Sequence, residues 1–220
     1  MQTTLGVVIL AGGASQRLGP DKPLMKVSGR SMLARTVATA LTISRSVIVV
    51  AGSRAQEVEY RDEIPRGVVI VHDKTQERGP LFGLCAGLER SNSEYAAVLP
   101  CDSPFISKDV ILHIYGAAKG VDAAVPAWRD GRIEPLHCVF HVAHTRRATV
   151  EALKDDMDTI REMIQQMDRI RFVSVEELRG FDPRLLTFFN VNTLEDLEEA
   201  RRISSEIGER GRAAITVDRM

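Results

Sequence analysis

A glycine-rich loop that carries two cations is the part of this chain best suited to chemistry. The segment 11–22 follows the apolar run 6–10 and contains Gly12, Gly13, Arg17, Gly19 and Lys22. Backbone amides in such a loop, together with fixed positive charges, can replace the water and counterions around a polyphosphate. Arginine offers a planar fork to two phosphate oxygens, and lysine offers a compact point charge. The segment therefore predicts a phosphate-binding loop; a tight strand-to-helix turn with two solvated cations is the alternative.

Asp102 is the second candidate for a functional residue, because prolines fix the backbone on both sides of it. It lies between Pro100 and Pro104, directly after the apolar run 96–99. A carboxylate beside a phosphate is repelled unless a divalent cation lies between them, so Asp102 is predicted to be a Mg²⁺ ligand. Capping the next helix is the alternative, although Ser107 is better placed for that role.

Asp73 and a stripe of glycines follow the third apolar run, 68–71. Asp73 is predicted to contact a nucleotide or the surroundings of a metal; an ordinary turn residue is the alternative. Gly79, Gly83 and Gly87 are spaced to share one helix face. Glycine costs about 1 kcal/mol relative to alanine in a helix interior, so the stripe indicates close packing against a sheet or a flat ligand. Packing is the commoner cause.

Three polar residues of the second half are candidate substrate contacts. His137 ends the segment 134–137, and its alternative role is packing. Asn190 and Asn192 lie on one face of an extended segment and could orient a ligand or a hydrated metal. Helix capping and turn formation are their alternative roles. The remaining histidines show no metal-ligand spacing.

The elements that must position these residues alternate between strands and helices. The runs 47–51, 68–71 and 96–99 are continuously apolar, which is typical of strands covered on both faces. Between the apolar runs 6–10 and 47–51, Leu33, Val37 and Leu41 recur at four-residue steps and predict a helix. Such a βαβ order implies a parallel sheet, and parallel sheets bind ligands beyond the carboxyl ends of their strands.

The second half of the chain, from residue 118, has a different pattern. We predict strands at 122–128 and 170–175, a returning segment at 133–140, and helices at 142–153 and 159–167. A last helix is predicted after Thr193, with Asp196 in place of the capping-box glutamate. The segment 204–220 is a charged tail. No linker separates the two halves, so a single domain of residues 1–220 is favoured.

Composition excludes several classes of protein. The chain has 220 residues with 29 basic and 30 acidic side chains, so no global field favours nucleic acid. Three dispersed cysteines argue against a disulfide framework and against a zinc site. The first residues lack the basic region of a signal peptide, and no apolar run approaches the roughly 20 residues that span a bilayer. We expect a cytoplasmic protein without a nucleic-acid or membrane partner.

Five segments in order resemble the molybdenum cofactor guanylyltransferases. They are the loop 10–22, the segments 79–83 and 100–104, and the segments 134–137 and 190–193. The match runs from Leu10 to about Leu197, nearly the whole chain. The first and third segments are specific in combination, and the others support them.

The resemblance implies a Rossmann-like, three-layer α/β nucleotidyltransferase with a mostly parallel sheet and helices on both faces. It implies transfer of GMP from GTP to the molybdopterin-bound molybdenum cofactor, with release of pyrophosphate and with Mg²⁺ as cofactor. Residues 1–117 would form the nucleotide-binding half and residues 118–203 the pterin-substrate half. We expect a monomer or a weak homo-oligomer.

Site residues follow from the same resemblance. Asp102 would bind Mg²⁺ and nucleotide, and the Leu10–Gly12 backbone and Lys22 would hold the GTP phosphates. Arg17 is added from its place in the loop, as a clamp on the triphosphate. Together with Lys22 it would stabilise the charge that develops on the leaving group. The nucleotide-binding set is Leu10, Ala11, Gly12, Gly13, Lys22, Asp73, Gly79, Pro80 and Asp102.

Other functions stay open at this point. A cytidylyltransferase for the same pterin, or another small nucleotidyltransferase, would use the same residues. Gly12 favours guanine, because the cytidylyl enzymes have alanine there, whereas the segment 50–53 lacks the asparagine often found near the base in guanylyl enzymes. A non-catalytic nucleotide-binding protein is a third reading, against which the intact Arg17, Lys22 and Asp102 argue.

Overall fold

A seven-stranded, mostly parallel sheet forms the centre of the molecule. The computed structural model describes residues 4–12, 22–72 and 79–217. The strands are β1 (Leu5–Leu10), β2 (Lys26–Val27), β3 (Arg30–Ser31), β4 (Val47–Ala51), β5 (Val69–His72), β6 (Tyr95–Pro100), β7 (Ala123–Ala127), β8 (Val139–His141) and β9 (Ile170–Ser174). The order in the sheet is β5-β4-β1-β6-β8-β7-β9, and β8 alone runs antiparallel to its neighbours. The short strands β2 and β3 form a separate hairpin.

Helices cover both faces of the sheet, as the predicted fold class requires. They are α1 (Met32–Ile43), α2 (Arg54–Arg61), α3 (Pro80–Arg90), α4 (Lys108–Ala118), α5 (Val142–Lys154), α6 (Ile160–Gln165) and α7 (Leu194–Val217). Short 3-10 helices span Lys22–Leu24, Glu177–Gly180 and Leu186–Phe188. Within the described residues, every helix is too short or too polar to span a lipid bilayer.

Alternate residues of one strand pack into two separate hydrophobic cores, which explains the unbroken apolar runs of the sequence. Val7 and Ile9 of β1 pack into the core beneath α1 and α4. Val8, between them, packs into the core on the opposite face beneath α3. A central strand covered on both faces has no solvent side and therefore no polar alternation.

The four-residue steps predicted for α1 are only partly correct. Leu33 and Val37 are fully buried, but Leu41 is 39% exposed. A helix turns once every 3.6 residues, so each four-residue step rotates the side chain by about 40° around the axis. After two steps Ala40 has taken the buried position.

Close packing explains two of the three glycines of the predicted stripe, Gly79 just before α3 and Gly87 within it. A Cβ at Gly87 would lie 2.5 Å from a methyl of Val8, and one at Gly79 would lie 2.7 Å from the Asp158 carbonyl oxygen. A Cβ at Gly83 would make ordinary contacts, 3.6 Å from Leu10. Packing against the sheet, the commoner of the two predicted causes, therefore applies at Gly87 and not at Gly83.

The second half follows the predicted order with shorter elements. The returning segment pairs as a strand only at Val139–His141, apart from a bridge between Ala127 and Ile133. Pro135 lacks the N–H that a continuous ladder needs. The segment after Ser204, predicted as a charged tail, continues α7 to Val217. Since β7, β8 and β9 join the same sheet as β1, one sheet runs through both halves.

Candidate functional site

The loops after β1 and β6 meet at one edge of the sheet. Leu10 is paired with Pro100, and the Cys101 N–H donates to the Leu10 carbonyl at 3.2 Å. On the other side of β1, the Ala11 N–H donates to the Val50 carbonyl at 2.8 Å. The start of the predicted phosphate loop and Asp102 therefore lie on adjacent strands, at the edge where parallel sheets bind ligands.

Gly12 is required by a close approach of two backbone segments. A Cβ at Gly12 would lie 2.7 Å from the Gly52 nitrogen and 2.8 Å from the Gly52 Cα. The preceding Ala11 carbonyl accepts a hydrogen bond from the hydroxyl of buried Tyr60 at 2.9 Å. The entry to the loop is thus held against β4 and α2. This contact accounts for the glycine without reference to a nucleotide base.

Lys22 and Asp102 form an ion pair at the centre of the site. The Lys22 ammonium lies 2.6 Å from Asp102 Oδ2 and donates a second hydrogen bond to Asn192 Oδ1 at 3.0 Å. The side chains of Lys22 and Asp102 are 13% and 24% exposed, so the pair is shielded from bulk water but still accessible. The structure brings together three residues that the sequence predicted as site residues.

Segment 190–192 is attached to the loop after β6 by two hydrogen bonds. The Val191 N–H donates to the Asp102 carbonyl at 2.9 Å. The hydroxyl of buried Ser103 donates to Asn190 Oδ1 at 2.5 Å. Asn190 therefore orders the backbone beside Asp102. Sequence reasoning missed Ser103, and its place between Asp102 and Pro104 was the one available signal.

Asp196 fixes the other end of this segment. Its Oδ2 accepts hydrogen bonds from the N–H groups of Asn192 and Thr193 at 2.8 and 2.9 Å. The Thr193 hydroxyl accepts from the Asp196 N–H at 3.1 Å, which confirms the predicted capping of α7. The hydrogen bond from the Asn192 N–H is the main reason that the pKa of Asp196 lies below its usual range. Lys22 adds to this lowering by its positive charge.

The start of α3 belongs to the same edge of the sheet. Gly79 precedes the helix and packs on the Asp158 carbonyl, while Pro80 is exposed at the first helical position. The Leu81 N–H donates to the Asp158 carbonyl at 3.2 Å, so one of the amides at this helix start already has a partner. Gly79 has a packing role, and Pro80 remains a candidate contact.

His137 lies inside the protein rather than in an open site. It is 1% exposed, and its ring meets the Phe188 ring edge-on with 5.1 Å between centroids. No described residue makes a hydrogen bond of good distance and angle to either ring nitrogen, although the Thr187 backbone interacts with the ring. Burial lowers the pKa of His137 to about 4, against a weaker opposing effect of the Thr187 backbone. A buried, neutral imidazole favours the packing role over substrate contact.

An aromatic cluster that sequence reasoning did not single out follows β7. The Trp128 indole N–H donates to Glu134 Oε1 at 2.6 Å. The guanidinium of Arg132 lies 5.3 Å from the indole centroid, and the Phe188 ring lies 5.9 Å away in an edge-on arrangement. Because β7 runs parallel to β1, this cluster lies at the same edge of the sheet as Asp102. Glu134 thus has a structural partner in Trp128, directly after β7.

Three predicted site residues lie outside the described residues. They are Gly13 and Arg17 of the phosphate loop and Asp73 after β5.

Cys101, next to Asp102, is a buried thiol whose pKa is raised by burial and by the Asp102 charge.

The donor atoms around Asp102 suit magnesium better than a softer metal. Asp102 supplies a carboxylate, and Asn192 supplies an amide oxygen that shares the same lysine. In the part of the chain that the structure describes, no three His, Cys, Asp or Glu side chains are grouped to hold a metal. Magnesium commonly takes only one or two protein carboxylates and completes its shell with water and substrate phosphates. The residues present therefore fit a Mg²⁺ ion that is bound jointly with a nucleotide.

Comparison with known proteins gives a consistent result. The model of the MobA-like NTP transferase domain matches residues 7–170. The chain is 33% identical over 210 residues to the probable molybdenum cofactor guanylyltransferase of Methanosarcina acetivorans, covering 91% of each chain. It is 33% identical to the molybdenum cofactor guanylyltransferase of Desulfosudis oleivorans, covering 88% of this chain and 92% of that protein.

A solved structure supports the same fold. Molybdopterin-guanine dinucleotide biosynthesis protein A from Archaeoglobus fulgidus superposes with a TM-score of 0.79 at 24% identity. The superposition covers 91% of this chain and 99% of that one.

Proposed function

This chain belongs to the MobA-like NTP transferase family, and we propose that it transfers GMP from GTP to the molybdenum cofactor, forming molybdopterin guanine dinucleotide and pyrophosphate. The observation that carries the proposal is the Lys22–Asp102 pair at the carboxyl edge of β1 and β6. A cation for phosphate and a carboxylate for Mg²⁺ are the two charges that nucleotidyl transfer requires from a protein.

Residues 1–117 form the nucleotide-binding half in this proposal. The backbone of Leu10–Gly13 and the Lys22 ammonium hold the phosphates, with Arg17 as a clamp on the triphosphate. Gly79, Pro80 and Asp73 border the nucleotide. Gly12 supports this arrangement because it lets the backbone at the start of the loop lie against Gly52.

The acceptor occupies the half formed by residues 118–203. Asn190 and Asn192 border Asp102 from this side, so an acceptor placed against them lies next to the nucleotide. His137 is a packing residue beneath Phe188 in this proposal, since its burial and low pKa do not suit a proton donor at neutral pH.

The reaction needs no nucleophile from the protein. A terminal phosphate oxygen of the acceptor attacks the α-phosphorus of GTP in line, forming one P–O bond while the bond to the β-phosphate bridging oxygen breaks. The electron pair of that bond leaves with pyrophosphate, and Lys22 and Arg17 stabilise its growing negative charge. Magnesium, when held by Asp102, supplies Lewis-acid charge neutralisation on the phosphates. No general base is needed, because a phosphate acceptor is already ionised at neutral pH.

Pyrophosphate release with purified molybdenum cofactor, Mg²⁺ and each of GTP, CTP, ATP and UTP tests this proposal. Turnover with GTP, lost in Asp102→Ala, is the expected result. Turnover with CTP alone would assign a cytidylyltransferase instead, as the sequence left open. Nucleotide binding without pyrophosphate release would assign a non-catalytic protein.

The proposed setting is the cytoplasm, without nucleic acid or membrane as partners. The nearly balanced charge of the chain supports this setting. The buried thiols of Cys101 and Cys138 support it as well, because such thiols persist in a reducing compartment. A monomer or weak homo-oligomer is proposed, and sedimentation at working concentration tests it.

A further inference from the structure

The Lys22 ammonium lies against one of the two carboxylate oxygens through which Asp102 could bind a metal ion. Its nitrogen is 2.6 Å from Asp102 Oδ2. A second cation at the same oxygen would lie within a few ångströms of the ammonium, where two positive charges repel strongly in a partly desolvated site. The lysine and the metal therefore compete for one carboxylate in the nucleotide-free protein.

Asn192 holds Lys22 in this competing position. Its Oδ1 accepts from the ammonium at 3.0 Å, and its own backbone N–H is fixed by Asp196 at 2.8 Å. Asp102 is held in turn through its backbone carbonyl, which accepts from the Val191 N–H at 2.9 Å. The lysine is therefore held between two anchored partners, unlike a mobile surface side chain.

The ion pair differs from an ordinary surface salt bridge in its burial. The two side chains are 13% and 24% exposed. Removing one partner of such a pair leaves the other charge shielded and unpaired, which is unfavourable unless a new counter-ion binds it. The phosphate oxygens of a nucleotide are charged acceptors like the Asp102 carboxylate, and there are several of them. A bound nucleotide can therefore draw the lysine away and leave Asp102 to a divalent cation.

We propose that Lys22 is a resident counter-ion of Asp102 that excludes divalent metal until a nucleotide takes the lysine over, with Asn192 as the residue that positions it. This proposal rests on the proposed function, in which Asp102 is the metal ligand and Lys22 a phosphate ligand. Its consequence is an order of events: the nucleotide, with or without its own metal, arrives before Asp102 coordinates a cation.

Mn²⁺ binding to the nucleotide-free, full-length protein tests the proposal, followed by the electron paramagnetic resonance signal of free Mn²⁺. We expect weak binding by the wild type and at least about tenfold tighter binding by Lys22→Met, because the competing charge is gone. Lys22→Gln, which keeps a polar side chain, provides a second neutral variant if the methionine variant does not fold. Lys26→Met removes the same charge from exposed β2 and is expected to match the wild type.

The double variant Lys22→Met/Asp102→Asn assigns the gained site. It is expected to lose the additional Mn²⁺ binding, since the carboxylate that would hold the ion is neutral. An unchanged Mn²⁺ affinity in both neutral Lys22 variants, or a gain that survives Asp102→Asn, overturns the proposal. The nucleotide panel is a separate readout, so a wild type that fails to use GTP rejects the proposed function without affecting the Mn²⁺ comparison.

Discussion

Acid is expected to destabilise the protein through His137, and the size of the effect follows from its burial. The imidazole is 1% exposed, and its pKa falls from 6.5 in the unfolded chain to about 4 in the folded protein. Between these two pH values the unfolded chain binds more protons than the folded protein, so the free energy of unfolding rises with pH across this window. The free energy of unfolding is therefore undiminished by His137 above about pH 6.5 and decreases as the pH falls towards 4.

The magnitude can be worked from the same shift. A difference of one pKa unit corresponds to about 1.36 kcal/mol, so the whole shift of His137 represents about 3 kcal/mol. At pH 5 the linkage relation gives a free energy of unfolding that is about 2 kcal/mol lower than at neutral pH. That loss is a substantial fraction of the roughly 5–15 kcal/mol by which a domain of this kind is stable.

Urea unfolding of the wild type and His137→Leu between pH 7.5 and 5 measures this effect. Leucine fills the pocket without a titrating group or unpartnered nitrogens, so its advantage over the wild type is expected to grow by about 2 kcal/mol on acidification to pH 5. The matched control is His113→Leu, on a partly exposed histidine of α4 that contacts Phe181. It is expected to retain the acid loss of the wild type.

Two results refute the reasoning. One is a constant stability difference between wild type and His137→Leu across this pH range. The other is a titration of His137 in the folded wild type near pH 6.5, observed by NMR, which also answers the question if the leucine variant does not fold.

Four further substitutions test the packing and the site. Gly87→Ala is expected to destabilise the protein by about 1–3 kcal/mol, because the new Cβ would lie 2.5 Å from a methyl of Val8 in β1. Gly83→Ala is expected to stabilise it by up to about 1 kcal/mol, because alanine favours a helix more than glycine does and has room there. Chemical denaturation of both variants separates the effect of close approach from that of helix propensity. Asn190→Ala leaves the buried Ser103 hydroxyl without its acceptor and is expected to cost about 1–3 kcal/mol in the same assay, and an unchanged midpoint would contradict the role of that hydrogen bond. Asp102→Asn keeps the shape of the side chain and is expected to lower turnover by about 100-fold or more, measured as pyrophosphate release; near-wild-type turnover by the folded variant would reject the metal assignment.

The strands of the sheet could be predicted from the sequence because burial on both faces leaves an unambiguous pattern. The runs at β1, β4 and β6 lack polar residues, and few other elements have that property. Helix α2 was not predicted from the sequence, because it buries too little to leave a pattern. Its sequence, Arg54–Arg61, is polar except for Ala55, Val58 and Tyr60, and only Tyr60 is buried. One buried residue in two turns gives no periodicity to detect.

The candidate site was predictable in its members but not in its contacts. Parallel strands bring their carboxyl ends to one edge, so Asp102 and the loop after β1 had to lie close together. No such rule places Asn192, which is separated from Lys22 by 170 residues and enters from a loop. The sequence pattern of Asn190 and Asn192 suggested two amides facing a ligand. The structure adds their partners within the protein, a serine hydroxyl and a lysine of the site itself.

Asp196 shows why local and long-range roles of one residue are hard to separate in a sequence. The capping pattern of Thr193 and Asp196 predicted the start of α7 correctly, and that explanation was sufficient for both residues. The same carboxylate also holds the Asn192 N–H, and Asn192 holds Lys22. Two hydrogen bonds therefore connect a helix cap to the central ion pair of the site. Because Lys22 in turn contributes to the lowered pKa of Asp196, the cap and the cation support each other electrostatically as well as through hydrogen bonds. The first turn of α7 belongs to the site as much as to the helix, although its sequence carries only the signal of the helix.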